Sequence, residues 1–199
     1  MISAMNVAAF ILCGGKSSRM GSDKAFLELA GTPLILRAIK LAGEISDDTR
    51  IVGDPQKFSK YANVTPDIFP GHGPLGGIHA ALTASASDWN LILAVDLPFL
   101  TASFLRYLVA HGQSSGATVT VPSTRGYYHP LCALYRKRFA DVAERALAQG
   151  KNKIDALYRD VPLGVISEEE LSAGGFHPSM FRNLNTPEEW EQALREFGS

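Results

Sequence analysis

The stretch from Leu12 to Lys24 reads Leu-Cys-Gly-Gly-Lys-Ser-Ser-Arg-Met-Gly-Ser-Asp-Lys, and its residue types suit the binding of phosphate. Gly14, Gly15 and Gly21 tolerate positive φ and let backbone amides approach an anion, while Arg19 offers a planar fork and Lys24 a compact charge. Asp96 is a second candidate, because it ends the apolar run Leu91-Ile92-Leu93-Ala94-Val95 and supplies a hard oxygen that suits Mg²⁺ shared with a triphosphate. Together these groups fit nucleotidyl transfer, which needs anchored β- and γ-phosphates, a metal at the α-phosphate and an acceptor oxygen in line. Plainer readings stand beside this one. Lys16, Arg19 and Lys24 can be solvated loop charges, the preferred reading for Lys16, although Asp96 lies too far from Thr101 to cap a helix starting there.

Two other phosphate motifs fail. Gly15-Lys16-Ser17 imitates the end of a P-loop, but Phe10 stands where its first glycine is required. Gly71, Gly73 and Gly76 fit a dinucleotide-binding spacing, yet Pro74 removes one of the amides that turn would offer.

The elements that must position these groups alternate. Val7 to Cys13 is an unbroken apolar run of strand length, and Ile35, Ala38, Ile39, Ala42 and Ile45 fall at helical spacing. Strands are expected at 49–52, 63–66, 90–95, 117–122, 131–135, 161–166 and 180–184, with 131–135 pairing 117–122 after a turn at Thr124-Arg125-Gly126. Helices are expected near 58–61, 78–86, 104–109, 139–150 and 153–158. Thr186-Pro187-Glu188-Glu189 opens a last helix with a capping box, and Trp190, Ala193, Leu194 and Phe197 should pack it down. The pattern predicts one α/β domain over 1–199, Rossmann-like, with a mostly parallel central sheet, helices on both faces and ligands at the carboxyl ends of its strands.

Composition sets bounds on the partners. A net charge of −1, with 46% hydrophobic and 20% charged residues, gives no reason to expect nucleic acid or an anionic membrane surface. Apolar runs are strand-sized, well short of the ~20 residues a membrane helix needs. Cys13 and Cys132 lack metal-ligand spacing and read as buried apolar residues, and with no signal peptide the default compartment is a reducing cytoplasm.

The loop resembles the signature of the molybdenum cofactor guanylyltransferases, L-A-G-G-x-S-x-R-M-G-x-D-K, with Cys13 in place of the alanine. Further likeness lies in Asp96-Leu97-Pro98-Phe99, similar to C-D-x-P-[FY] with Val95 for the cysteine, and in Gly73-Pro74-Leu75-Gly76-Gly77-Ile78, similar to G-P-L-x-G-[IM]. His129-Pro130 resembles an H-P element, and Asn183-Leu184-Asn185-Thr186-Pro187-Glu188 resembles N-[IV]-N-T-P-E. The resemblance implies a Mg²⁺-dependent enzyme that transfers GMP from GTP to molybdenum-bound molybdopterin and releases pyrophosphate, with transient contacts to molybdoenzymes or cofactor-delivery proteins. It further implies that Leu12, Cys13, Gly14, Gly15, Arg19, Lys24, Asp67 and Asp96 bind nucleotide. Arg19, Lys24 and Asp96 would carry catalysis, with Asp96 on the metal, and His129, Asn183 and Asn185 would meet the acceptor, both asparagines on one side of a strand. For Asp67 turn chemistry is an equal reading, and for His129 a hydrogen-bonded turn. The family's guanine-contacting asparagine would fall near Gly53, where Asp54 is the available substitute. The competing readings are a cytidylyltransferase or sugar-1-phosphate nucleotidyltransferase of the same fold and, in another class, a catalytically silent nucleotide-binding module.

Overall fold

The computed structural model describes residues 6–14, 23–184 and 186–197. The first half contains β1 (Val7–Leu12), a 3-10 turn (Lys24–Phe26), β2 (Glu28–Leu29), β3 (Thr32–Pro33), α1 (Leu34–Gly43), β4 (Asp48–Val52), α2 (Pro55–Phe58), β5 (Asn63–Thr65), α3 (Gly73–Ala84) and β6 (Trp89–Ala94). Then follow α4 (Ala102–Ser115), β7 (Val119–Thr124), β8 (Tyr127–Tyr128), β9 (Cys132–Arg136), α5 (Phe139–Ala148), a 3-10 turn (Asp155–Asp160), β10 (Leu163–Ile166), α6 (Glu168–Ala173), a 3-10 turn (Pro178–Phe181) and α7 (Pro187–Phe197).

The main sheet has the order β10-β7-β9-β6-β1-β4-β5, with β8 added to β7. β1 lies parallel between β4 and β6, so Leu12, Val52 and Ala94 end level with one another. Consecutive side chains of β1 enter opposite cores, as both faces of a parallel sheet are covered. Val7, Ala9 and Ile11 pack on the side of α1 and α4, while Ala8, Phe10 and Leu12 pack on the side of α3 and α5. This arrangement explains why the strand reads as an unbroken apolar run without alternation.

The α/β architecture with a mostly parallel sheet is the one expected, and several local expectations change. Residues 131–135 do pair β7, but only through Tyr135 and Leu134, and the longer antiparallel ladder joins Cys132–Arg136 to β6. Arg125 and Gly126, at φ 51° and 77°, instead turn β7 back onto the short β8. The helix expected from Ile78 starts at Gly73, because Gly76 and Gly77 serve close packing inside a helix. A Cβ on Gly77 would stand 3.1 Å from the Leu12 side chain, and one on Gly76 would stand 2.9 Å from the Phe69 carbonyl oxygen. The short helix expected near 58–61 lies at Pro55–Phe58, where the Asp54 carboxylate accepts from the Gln56 amide at 2.9 Å.

Residues 180–184 do not form a strand. Met180 and Phe181 belong to the 3-10 turn, which His177 caps, and from that turn their apolar side chains pack into the core on the α4 side. α6 was not anticipated, although Ser167 and Glu170 form a complete capping box there. The box expected at α7 is present, Thr186 and Glu189 exchanging bonds of 3.0 and 3.2 Å. Ala193 is buried and Trp190 packs beside it against Leu29, Leu34 and Leu184, whereas Leu194 faces solvent.

Candidate active site

β1 and β6 end side by side, and their ends are tied together. The Val95 amide donates to the Leu12 carbonyl at 3.3 Å, and the Cys13 amide donates to the Val52 carbonyl at 2.9 Å. Asp96 therefore emerges beside the start of the glycine-rich loop, at the carboxyl edge where ligands of such sheets bind. The chain returns to that edge at Asp23, whose carboxylate accepts from the Ala25 amide at 3.3 Å and caps the turn that begins with Lys24. The Lys24 Nζ then sits 3.5 Å from Asp96 Oδ2, with both side chains about one-fifth exposed at 19% and 20%. The two catalytic candidates on described residues are brought together, accessible enough to meet a ligand.

Asp96 is not a helix cap, since Thr101 fills that position and accepts from the Phe104 amide at 3.3 Å. Asp23 also holds Lys57 of α2 at 3.0 Å, a tether for the end of the loop that the sequence reading missed because the partner is distant along the chain, beyond α1 and β4. Burial first, and then the negative fields of Asp23 and Asp96, push the Cys13 thiol up, so it stays protonated and is no nucleophile. Burial does the same at Cys132.

The other expected nucleotide contacts divide. Leu12 commits its side chain to the core against Gly77 and its carbonyl to Val95. Gly14 is exposed, has no left-handed φ, and has open space where a Cβ would stand. Gly15, Arg19 and Asn185 lie outside the described residues. Asp67 turns its carboxylate toward the Phe69 amide at 2.9 Å, and both its oxygens come within 3.3 Å of the Cβ position of Gly76 on the first turns of α3. That placement suits a helix N-terminus and gives Asp67 a structural task.

Gly53 has a packing reason. A Cβ there would stand 3.1 Å from the Phe58 ring and 3.5 Å from the Cys13 Cβ, so Phe58 takes the space of a side chain at this position. Gly53→Asn is expected to cost about 1 kcal/mol or more, as added volume must displace the ring, and chemical denaturation measures that loss directly.

Around His129, which was expected to meet the acceptor, the turn before β9 is well anchored. The Tyr135 hydroxyl donates to the Pro130 carbonyl at 2.9 Å and meets the Tyr158 hydroxyl at 2.9 Å. The Ala94 amide donates to the Leu131 carbonyl at 2.8 Å, which sets this turn next to Asp96. His129 Nε2 shares a 2.7 Å hydrogen bond with Thr124 Oγ1, and the imidazole stacks on Phe181 with ring centroids 4.2 Å apart. Burial lowers the pKa of His129, so the ring is neutral near pH 7 and can bind an anion only through a hydrogen bond. Because the folded pKa lies below the unfolded one, this stability is complete above the unfolded value of 6.5 and is lost as pH falls through the folded value. Histidine NMR should show His129 titrating below that value, and His129→Gln should weaken the acid dependence of unfolding. Asn183 is exposed but follows the 3-10 turn and not a strand, so nothing places Asn183 by strand alternation.

Among the described residues no three His, Cys, Asp or Glu side chains converge as a metal cage. Asp96 alone fits a shared mode of holding Mg²⁺, in which one carboxylate and the substrate's phosphates provide the oxygens.

Residues 9–163 match the model of the MobA-like NTP transferase domain. A probable molybdenum cofactor guanylyltransferase of Carboxydothermus hydrogenoformans is 35% identical, the match covering 96% of this chain and 97% of that one. A molybdenum cofactor guanylyltransferase of Desulfosudis oleivorans is 36% identical, with 94% of each chain covered. Among solved structures, the molybdopterin-guanine dinucleotide biosynthesis protein A of Archaeoglobus fulgidus has a TM-score of 0.85 at 28% identity, covering 96% of this chain and 98% of its own. A 2-C-methyl-D-erythritol 4-phosphate cytidylyltransferase of Thermus thermophilus, 14% identical with a TM-score of 0.68, shares the fold. With its strand-end aspartate and lysine in place and these likenesses over nearly all its length, the chain belongs to the MobA-like NTP transferase family and is a nucleotidyltransferase.

Proposed function

We propose that this chain, acting as one nucleotidyltransferase domain, transfers GMP from GTP to molybdenum-bound molybdopterin, forming the molybdopterin guanine dinucleotide cofactor and releasing pyrophosphate. The observation that carries the reading is the meeting of Lys24 and Asp96 at 3.5 Å on the carboxyl edge of β1 and β6. The names of the relatives, molybdenum cofactor guanylyltransferases, support guanine as the base, and the Archaeoglobus fulgidus protein, named for molybdopterin-guanine dinucleotide biosynthesis, supports molybdopterin as the acceptor.

In this reading an acceptor phosphate oxygen attacks the α-phosphorus, the bond to the bridging oxygen breaks, and the electron pair leaves with pyrophosphate. Lys24, with Arg19, balances the charge that gathers on that leaving group. Asp96 is this chain's donor to Mg²⁺, which when bound supplies positive charge to the triphosphate oxygens. The acceptor phosphate is already anionic near neutral pH, so no general base is required; the neutral His129 would serve as a hydrogen-bonding group, as would Asn183 and Asn185. The product would pass to molybdoenzymes or cofactor-delivery proteins. A cytoplasmic setting accords with two free thiols, and no described helix is long and apolar enough to cross a membrane.

One observation favours a second reading. Phe58 fills the space at Gly53 where a guanine-contacting asparagine would stand, which supports a related transferase with a different base. Incubation with Mg²⁺ and each nucleoside triphosphate, with and without molybdopterin, separates the two. Pyrophosphate release that needs both GTP and molybdopterin is expected. Preference for CTP, or use of GTP without acceptor, would overturn the assignment, and GTP binding without turnover would indicate a silent module.

A further inference from the structure

Phe181 and Arg182 are consecutive residues that point to two different parts of the edge. Phe181 is buried, stacks on His129 at 4.2 Å with an interplanar angle of 11°, and meets Phe104 edge-on at 5.3 Å. Arg182 places its guanidinium 4.2 Å above the Phe99 ring, on the turn that begins with Asp96. It also sets both terminal nitrogens on Glu196 of α7, at 3.0 and 2.6 Å, and holds that carboxyl below its usual range. The exposed Asn183 follows directly.

A surface ion pair of this kind adds little stability by itself. Here, however, the planar group is used on its face and along its fork at once, which fixes direction as well as distance. The Arg182 Nε is buried with no hydrogen-bond partner among the described residues, a cost that stability alone would not favour. α7 has other anchors, in the Thr186 capping box and in Ala193 packed beside Leu29 and Leu184. The arginine is therefore better explained by what it aligns.

We propose that Arg182 is a positioning residue for the acceptor half of the site, a clasp that holds the Phe99 ring, the Phe181–His129 stack and Asn183 in one arrangement with α7 as its brace. The proposal rests on the reading of molybdopterin as acceptor, and its consequence is separable from that reading. Loosening the clasp misplaces the acceptor phosphate and leaves the nucleotide side as it was, because Lys24 and the Val95 amide bonded to the Leu12 carbonyl hold Asp96 in place without Arg182.

The test uses Arg182→Ala together with Arg182→Lys, which keeps the charge but loses the plane and the fork. Steady-state kinetics are measured with GTP and molybdopterin varied in turn, and the His129 ring protons are followed by NMR. Both variants should raise the KM for molybdopterin about tenfold or more while changing the KM for GTP by no more than about twofold. The His129 signals, shifted by the Phe181 ring current in the parent protein, should move toward those of an unstacked histidine. Unchanged His129 signals, an equal rise in both KM values, or a lysine variant that behaves as the parent would each overturn the clasp. Should Arg182→Ala fail to fold, the lysine variant decides by the same criteria. A parent protein that never transfers GMP to molybdopterin overturns the functional reading instead, and the NMR signals then decide the clasp alone.

Discussion

Asp96→Asn is expected to lower the rate of the proposed GMP transfer at saturating GTP and molybdopterin by about 10²- to 10³-fold, the range set by loss of one group aimed at developing charge. The amide keeps the size of the carboxylate and removes its charge, so the turn after β6 retains its shape. The ion pair with Lys24 is partly exposed, and its loss should change unfolding free energy by about 1 kcal/mol or less. Single-turnover pyrophosphate release and urea denaturation, run on the same preparation, separate the two effects. Near-normal transfer would remove Asp96 from the site, and a stability loss matching the loss of rate would make it a structural residue.

Lys24→Ala is expected to slow transfer about 10²-fold and to weaken GTP binding as well, because in the proposed reaction the same charge faces the triphosphate in the ground state and the leaving pyrophosphate afterwards. Lys24→Arg should restore binding better than rate, since a planar fork cannot take the place of a compact charge at a fixed point. The double variant Lys24→Ala with Asp96→Asn should be little slower than the worse single variant, as groups that act as a unit lose their effect together. Rates that multiply independently would mean that the 3.5 Å approach is incidental.

Much of this molecule was legible along the chain, for physical reasons that differ by region. β1 and β6 were visible because strands buried on both faces carry unbroken apolar runs, and Asp96 was visible because a charge can follow such a run only where the strand leaves the core. Lys24 was legible as a cation at the end of a loop, though its distance from Asp96 depends on the Asp23 cap and the Lys57 tether. The start of α3 was misread because Gly73, Pro74, Gly76 and Gly77 look like a loop, while close contacts with Leu12 and Asp67 make two of those glycines helix-packing residues. Residues 180–184 were misread because their apolar spacing fits a strand equally well, while the His177 cap and Pro178 wind Met180 and Phe181 into a 3-10 turn. Arg182 gave no local signal at all, since Phe99 and Glu196 reach it only after α7 has docked.

The reversed direction of β9 has a consequence for how such a site can diversify. Parallel strands deliver their ends to the carboxyl edge, whereas β9, running against β6 and β7, delivers its beginning there, so the loop that carries His129 and Pro130 arrives from the opposite sense of the chain. In the proposed function the nucleotide side is thus built from strand exits and the acceptor side from a strand entrance, with the Ala94–Leu131 hydrogen bond as the seam between them. Residues 125–130 can change in length or composition without altering the register of β1 against β4 and β6, which leaves one half of the edge free to specialise while the other is kept.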